Sequence, residues 1–278
     1  GTCASLTMPG FVYNEPRMPF SASSFLFAVP DGSDPNLATI LANSGKAIIM
    51  GWMKGKVGQN LQIETIDPQV RWHYNPTLKS AEMFVPGVVT IILMLVSAML
   101  TSISITREKE LGTIEILFVS PLKPAIIIIG KVLPFAILSI INAIFILLMA
   151  WVVFAVPVNG SVVLLLLEML LFIFTALGLG VLISTIADTQ QTALMLSLFA
   201  LMLPTILLSG FIFPIANMPL PLRVISNIIP AKWFLIIIKN IMLKGVGFGY
   251  VWKETLVLVG MTVFFIGVSV KKFKIRLQ

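Results

Sequence analysis

The chain has 278 residues, 58% of them hydrophobic and only 11% charged, which describes an integral membrane protein rather than a water-soluble domain. Its net charge of +7 is not a nucleic-acid signature. The basic residues gather at the ends of apolar runs, where they orient spans and meet anionic headgroups.

Residues 1–82 are polar enough to be soluble and predict a partial extracytoplasmic α+β domain. A strand is expected over 24–29, closed by the turn signal Pro30-Asp31-Gly32-Ser33-Asp34-Pro35. A helix follows over 34–52, with Leu37, Ile40, Leu41, Ala47 and Ile48 as its apolar face. A second strand is expected over 69–74, ended by Asn75-Pro76. The first residues, with Pro9, Gly10, Pro16 and Pro19, give no clear element.

Residues 83–278 predict an all-α polytopic membrane domain. Positions 84–105 hold no charge over 22 residues, enough at about 1.5 Å per residue to cross a core of about 30 Å. Further spans are expected over 132–156, 162–186, 192–213 and 251–270. The turn 157–161 and the turn 187–191 separate three of them, with Asp188 or Thr189 as helix N-cap. Between the last two spans, prolines 214, 219, 221 and 230 cut the chain into short pieces. The apolar run 233–242 is too short to span, so 214–245 reads as outer re-entrant helices.

One charge-dense stretch interrupts the spans: Arg107, Glu108, Lys109 and Glu110, then Leu111, Gly112 and Thr113, up to Ser120-Pro121. Leu111, Ile114 and Phe118 repeat at helical spacing, with Glu108, Gly112, Glu115 and Val119 on a different face. With Glu108 and Glu110 in its first turn, the stretch predicts an amphipathic surface helix over 107–120, available to a partner. Arg107, Lys109, Lys123 and Lys131 flank this connection, and Lys271, Lys272, Lys274 and Arg276 form the tail. An odd number of spans puts both on one side, which the positive-inside rule makes cytoplasmic, leaving the N-terminal domain outside. Arg223, Lys232, Lys239 and Lys244 then lie outside and are expected to snorkel to headgroups.

Internal chemistry is poorly provided for. Cys3 is the only cysteine and His73 the only histidine, so no Cys or His metal cluster can form. The run from Gly51 to Val57 has the wrong spacing for a phosphate loop and no hydroxyl after its lysine. No catalytic residue, metal or cofactor is therefore assigned to this chain. Glu168 stands alone in its span, either as a polar contact for substrate or an outer gate, or as a carboxyl bonded between helices or snorkelling outward. Gly178, Gly180, Ala176 and Ser184 allow close helix crossing. Ser97, Thr101, Ser102 and Ser104 either line a polar path or bond back to their own helix. Met195, Met202, Phe199 and Phe211 offer an adaptable apolar surface or ordinary lipid-facing packing.

Four stretches carry a family resemblance. They are Trp72-His73-Tyr74-Asn75-Pro76 with Phe84-Val85-Pro86-Gly87; the charged stretch through Glu115, with Ser120-Pro121 and Gly130-Lys131; Ser209-Gly210-Phe211-Ile212-Phe213-Pro214; and Ile229-Pro230 followed by Leu243-Lys244-Gly245. Over residues 25–278 the chain resembles the permease subunit of ABC-2 type ATP-binding-cassette exporters, in the branch with a large extracytoplasmic domain. The resemblance implies six spans, of which the five here match the second to sixth, so the first is expected to be absent. It implies a second permease, identical or not, and a separate nucleotide-binding subunit that holds ATP and magnesium. A coupling helix from Glu108 to Glu115 would seat in that ATPase, with Arg107, Gly112, Thr113 and Phe118 in the same docking face. The outer helices, with Pro214, Pro230 and Lys239, would gate the exit; Lys239 stands where the family usually has an arginine. Substrate would pass Ser97, Thr101, Glu168, Phe199, Met202 and Phe211. The expected setting is the bacterial inner membrane, with lipid and a periplasmic adaptor as further partners. An apolar or amphipathic cargo, as in multidrug efflux, fits spans with almost no fixed charge. Export of sodium ions or an envelope lipid, an ion-coupled carrier and a non-transporting sensor anchor stand as alternatives.

Overall fold

The computed structural model describes residues 35–57, 79–113, 124–215 and 218–275. The chain divides into two compact units, 1–83 and 84–278. All regular secondary structure among the described residues is helical.

In the first unit, helix α1 spans Pro35–Val57, longer than the helix expected there. Its expected apolar face is not buried: Ile40 and Ile48 stand exposed, while Ala38 is covered. Both expected strands lie outside the described residues, so the α+β character of this unit receives no support.

The second unit begins within helix α2, Ser80–Glu110. Helix α3 spans Pro124–Val152, α4 Val162–Ile186 and α5 Gln190–Leu208. Two short helices follow, α6 (Leu220–Ser226) and α7 (Pro230–Met242), before α8, Phe248–Ile275. Five of these, α2, α3, α4, α5 and α8, are long and apolar enough to cross a membrane. Several ends differ from expectation for local reasons. Gly112 stops α2 where it does: its φ of +72° closes the helix, with its N–H on the Lys109 carbonyl. Gly210, with φ +83°, ends the fourth span at Leu208 rather than at 213. Inside α5, Leu198–Met202 forms a π-helical turn just before Pro204, widening the helix where the proline ring would press on the preceding turn. Thr189 is the N-cap of α5, exchanging bonds with Thr192 in a capping box.

Helix α4 is the post around which the others pack. Thr175 through Val181 are buried without a break, a stretch of about two turns with no exposed face. Against it lies α8, joined by a polar seam. Thr255 Oγ1 donates to Glu168 Oε1 (2.7 Å), Thr175 and Thr262 share a hydroxyl contact (2.6 Å), and Ser269 Oγ donates to the Gly178 carbonyl (3.1 Å). Partners rise together along both chains, so the helices run parallel, and hydroxyls seven residues apart keep one face of α8 on α4. Gly180 admits α2: a Cβ there would lie 2.4 Å from the Ala98 carbonyl oxygen. Phe172 of α4 stacks on Phe234 of α7 at 4.1 Å between centroids. By contrast, α3 turns Leu133, Ile137, Ile141, Phe145 and Leu148 outward, the arrangement of a lipid-facing helix.

These contacts fix the sense of each span. Ala98 meets Gly180, and Lys109 reaches the carbonyls of Ser184 and Ala187, so α2 also runs parallel to α4. Phe211, just past α5, packs edge-on to Phe84 near the start of α2. Asn159, before α4, donates from Nδ2 to the Leu243 carbonyl and from its backbone N–H to Met242. The starts of α2, α4 and α8 and the end of α5 therefore share one face. The α6–α7 pair, bent by 79°, leaves and returns on that face. Both its ends meet that face, so it forms a hairpin, and five helices among the described residues are long and apolar enough to cross a membrane.

Candidate functional site

At the opposite face, the end of α2 gathers the charges singled out in the sequence. The apolar run of α2 continues unbroken into them, so Arg107, Glu108 and Glu110 occupy the last turn of a span. They are not the first turn of a separate surface helix over 107–120. Glu108 forms an ion pair with Lys131 on α3. Glu110 Oε2 accepts from the Gln190 backbone N–H (3.0 Å) and side-chain Nε2 (3.1 Å). Lys109, not among the expected docking residues, reaches Ser184, Ala187 and Asp188. The charges thus stitch α2 to its neighbours. Arg107 and the turn Leu111, Gly112 and Thr113 stand exposed; Leu111 is 64% exposed. Thr113 Oγ1 donates back to the Glu108 carbonyl (3.1 Å), shaping that turn. Ile114, Glu115 and Phe118 lie outside the described residues.

The expected path residues separate into two groups. Ser97 is buried and donates to Ser139 on α3 (2.9 Å), while buried Thr101 donates to the Ser97 carbonyl of its own helix (2.8 Å). Glu168 is 3% exposed and bonded to Thr255; its Oε2 meets no hydrogen-bond partner among the described residues. Phe211 is buried against Phe84 and over Gly87, where a Cβ would collide with its ring. All four are buried in this chain. Phe199 is exposed and Met202 half-buried, both on the π-turn of α5. Phe199 also lines an open apolar concavity of about 560 Å³ with Ile186, Ala187, Gln191, Thr192, Met195 and Leu196.

On the hairpin, Pro230 opens α7 and is buried, Lys239 sits half-buried in its last turn, and Pro214 lies half-buried past α5. Lys232 does not snorkel to headgroups. It is 7% exposed, and its Nζ donates to Asn227 Oδ1 and Ser226 Oγ, joining the end of α6 to the start of α7. The reason is direction: a helical side chain leans toward the N-terminus, which here points into the bend. Asn159→Ala should remove the link between the α3–α4 turn and the end of α7. A loss of about 1 kcal/mol is expected, read as a midpoint about 2–4 °C lower in thermal unfolding of the detergent-solubilised protein.

Sequence reasoning missed Lys109 and the α8 seam. The second had a visible signal: Thr255, Thr262 and Ser269 recur every seven residues. Lys109 had none, because its partners lie more than seventy positions away.

Comparison with known proteins now bears on this geometry. Residues 23–271 match the family model described as ABC-2 family transporter protein. The chain is 34% identical over 260 residues to the "Probable multidrug ABC transporter permease YbhS" of Escherichia coli K12, covering 93% of this chain and 69% of that one. It is 34% identical over 224 residues to YbhR of the same organism, similarly named, covering 81% and 61%. The "Inner membrane transport permease YhhJ" of Escherichia coli K12 is 29% identical over 209 residues, covering 74% and 55%. The chain thus spans roughly two thirds of YbhS and YbhR and about half of YhhJ. With five helices long and apolar enough to cross a membrane, the buried α4 among them, and a family match over almost its whole length, the chain belongs to the ABC-2 transporter family as a multi-pass membrane permease.

Proposed function

We propose that this chain is the membrane-spanning subunit of an ATP-driven exporter that moves an apolar or amphipathic compound out of the cytoplasm or inner leaflet. ATP and magnesium belong to a separate nucleotide-binding subunit, and a second permease completes the translocation path. The observation that carries the reading is the end of α2. There an exposed leucine and arginine project from a turn whose neighbouring charges are engaged inside the subunit. An apolar side chain presented between fixed polar groups is what a docking contact requires. The family resemblance extends the proposed docking face to Ile114, Glu115 and Phe118, which lie outside the described residues. Support for the orientation comes from parallel packing, which brings Arg107, Lys109, Lys271 and Lys272 to one face, the cytoplasmic one by charge.

The cargo class rests on two supports. Fixed charge is nearly absent from the spans, and the relatives YbhS and YbhR are named as multidrug permeases. The exposed face of α5, with Met195 and Phe199, supplies a soft apolar wall for varied compounds. The bacterial inner membrane is the setting, following the name of YhhJ. The hairpin α6–α7 would close the outer exit.

The test is Leu111→Asp in the intact complex. Burying a carboxylate in an apolar docking groove should cut the ATPase recovered with the permease by about tenfold or more, with the permease itself still folded. Full recovery of the ATPase with the variant would remove the docking assignment.

A further inference from the structure

Lys109 and Glu110 are consecutive, opposite in charge, and reach opposite ends of two helices joined by one turn. Lys109 Nζ donates to the Ala187 carbonyl (2.6 Å) and the Ser184 carbonyl (3.4 Å) at the C-terminus of α4, and to Asp188 Oδ1 (2.9 Å). Glu110 Oε2 takes the first N–H of α5, that of Gln190. A helix C-terminus is partially negative and an N-terminus partially positive, so each charge meets the end it complements. Glu108 adds α3 through Lys131. Three successive residues thereby bond the last turn of α2 to three other spans. The α4–α5 turn, residues 187–189, is too short to carry a docking element of its own.

Contact type decides which bonds matter. The Asp188 side chain is 73% exposed, and a pair so open to solvent contributes little. The Lys109 side chain is only 21% exposed, and its bonds to the α4 carbonyls are charge-assisted.

We propose that Lys109, with Glu108 and Glu110, forms a transmission clamp: these positioning residues make the end of α2 and the ends of α3, α4 and α5 move as one body. The inference rests on the reading that the end of α2 docks the ATPase, and it assigns to that site the route by which a stroke reaches spans with no docking element. Such coupling needs a contiguous bonded contact rather than proximity, and the clamp provides one.

The experiment uses the full complex with a Cys3→Ser chain carrying a fluorophore at Ser104→Cys on α2 or at the exposed Ile186→Cys on α4, the helix whose end Lys109 holds. The probe is ATP with vanadate, so no cargo is needed. With the clamp intact, both labels should respond. Lys109→Ala should keep the ATPase bound and hydrolysing and keep the α2 response, while the α4 response falls about tenfold. Lys109→Arg should restore most of it, and Asp188→Asn, at an exposed position that tolerates change, should lower it by no more than about twofold. An α4 response undiminished in Lys109→Ala overturns the clamp. So does loss of the ATPase from that variant, which would make Lys109 a docking residue. Should Lys109→Ala not fold, an α4 response abolished in Asp188→Asn would equally overturn the ranking of contacts on which the clamp stands. Silence at both labels in the intact chain, with the ATPase bound and hydrolysing, would instead fail the docking reading.

Discussion

Gly180→Leu should drive α2 and α4 apart and remove most of the folded permease from detergent extracts. A Cβ at Gly180 would lie 2.4 Å from the Ala98 carbonyl oxygen and 3.0 Å from both Ala98 Cα and Thr101 Cβ. Two of those atoms are backbone, which cannot swing aside as a side-chain tip can. Relief therefore requires moving a whole helix, and α4 is buried on every side around this position, from Thr175 to Val181. Overpacking of this kind costs about 3 kcal/mol or more, a large part of the stability of an ordinary domain. The fitting control is Gly260→Leu on α8, where a Cβ meets nothing within 4 Å and the residue is exposed. That change should stay within about 1 kcal/mol of the parent, since leucine favours helix more than glycine does. Thermal unfolding followed by size-exclusion chromatography compares the two. Equal midpoints would mean that α2 and α4 do not cross at Gly180.

The second large effect is expected at Glu168, where charge and shape can be separated. Glu168→Gln keeps an oxygen to accept from Thr255 and should leave folding and transport close to the parent. Glu168→Lys places a cation in the seam between α4 and α8, without a carboxylate among its described contacts, and should cost about 3 kcal/mol. The comparison also settles the role of the carboxyl. A well-folded Glu168→Gln protein with transport reduced more than tenfold would make the charge part of the path. Retained transport would make Glu168 a strut, which is how its burial and its bond to Thr255 place it.

Much of the membrane unit was legible in the chain. Uninterrupted apolar runs set five spans, because a backbone in lipid must satisfy its own hydrogen bonds and a helix of that length does so. Proline spacing marked the hairpin for the same reason in reverse: its pieces are too short to cross. The N-terminal unit was less legible, since an apolar face on α1 gave no sign that Ile40 and Ile48 would stand exposed. Glycine was the other blind spot. Gly112 and Gly210 end helices through positive φ, which moved the end of α2 outward and the end of α5 inward from where hydropathy put them.

At the charged stretch, residue identity was enough to mark a special place, and the family resemblance gave it a purpose. The direction in which each charge points was beyond reach. Glu108, Lys109 and Glu110 read as a surface display because side chains on a lone helix have only solvent to meet. Packing brings Lys131, Ala187 and Gln190 beside them from elements far along the chain, and the same groups become internal bonds. The sequence by itself determined that this protein lives in a membrane, which of its runs are long and apolar enough to cross one, and to which family it is kin, since those depend on local hydropathy and pattern. Only the tertiary structure decided which helix is central, which faces meet, and which charges remain for a partner, because those depend on contacts between residues that no local pattern relates.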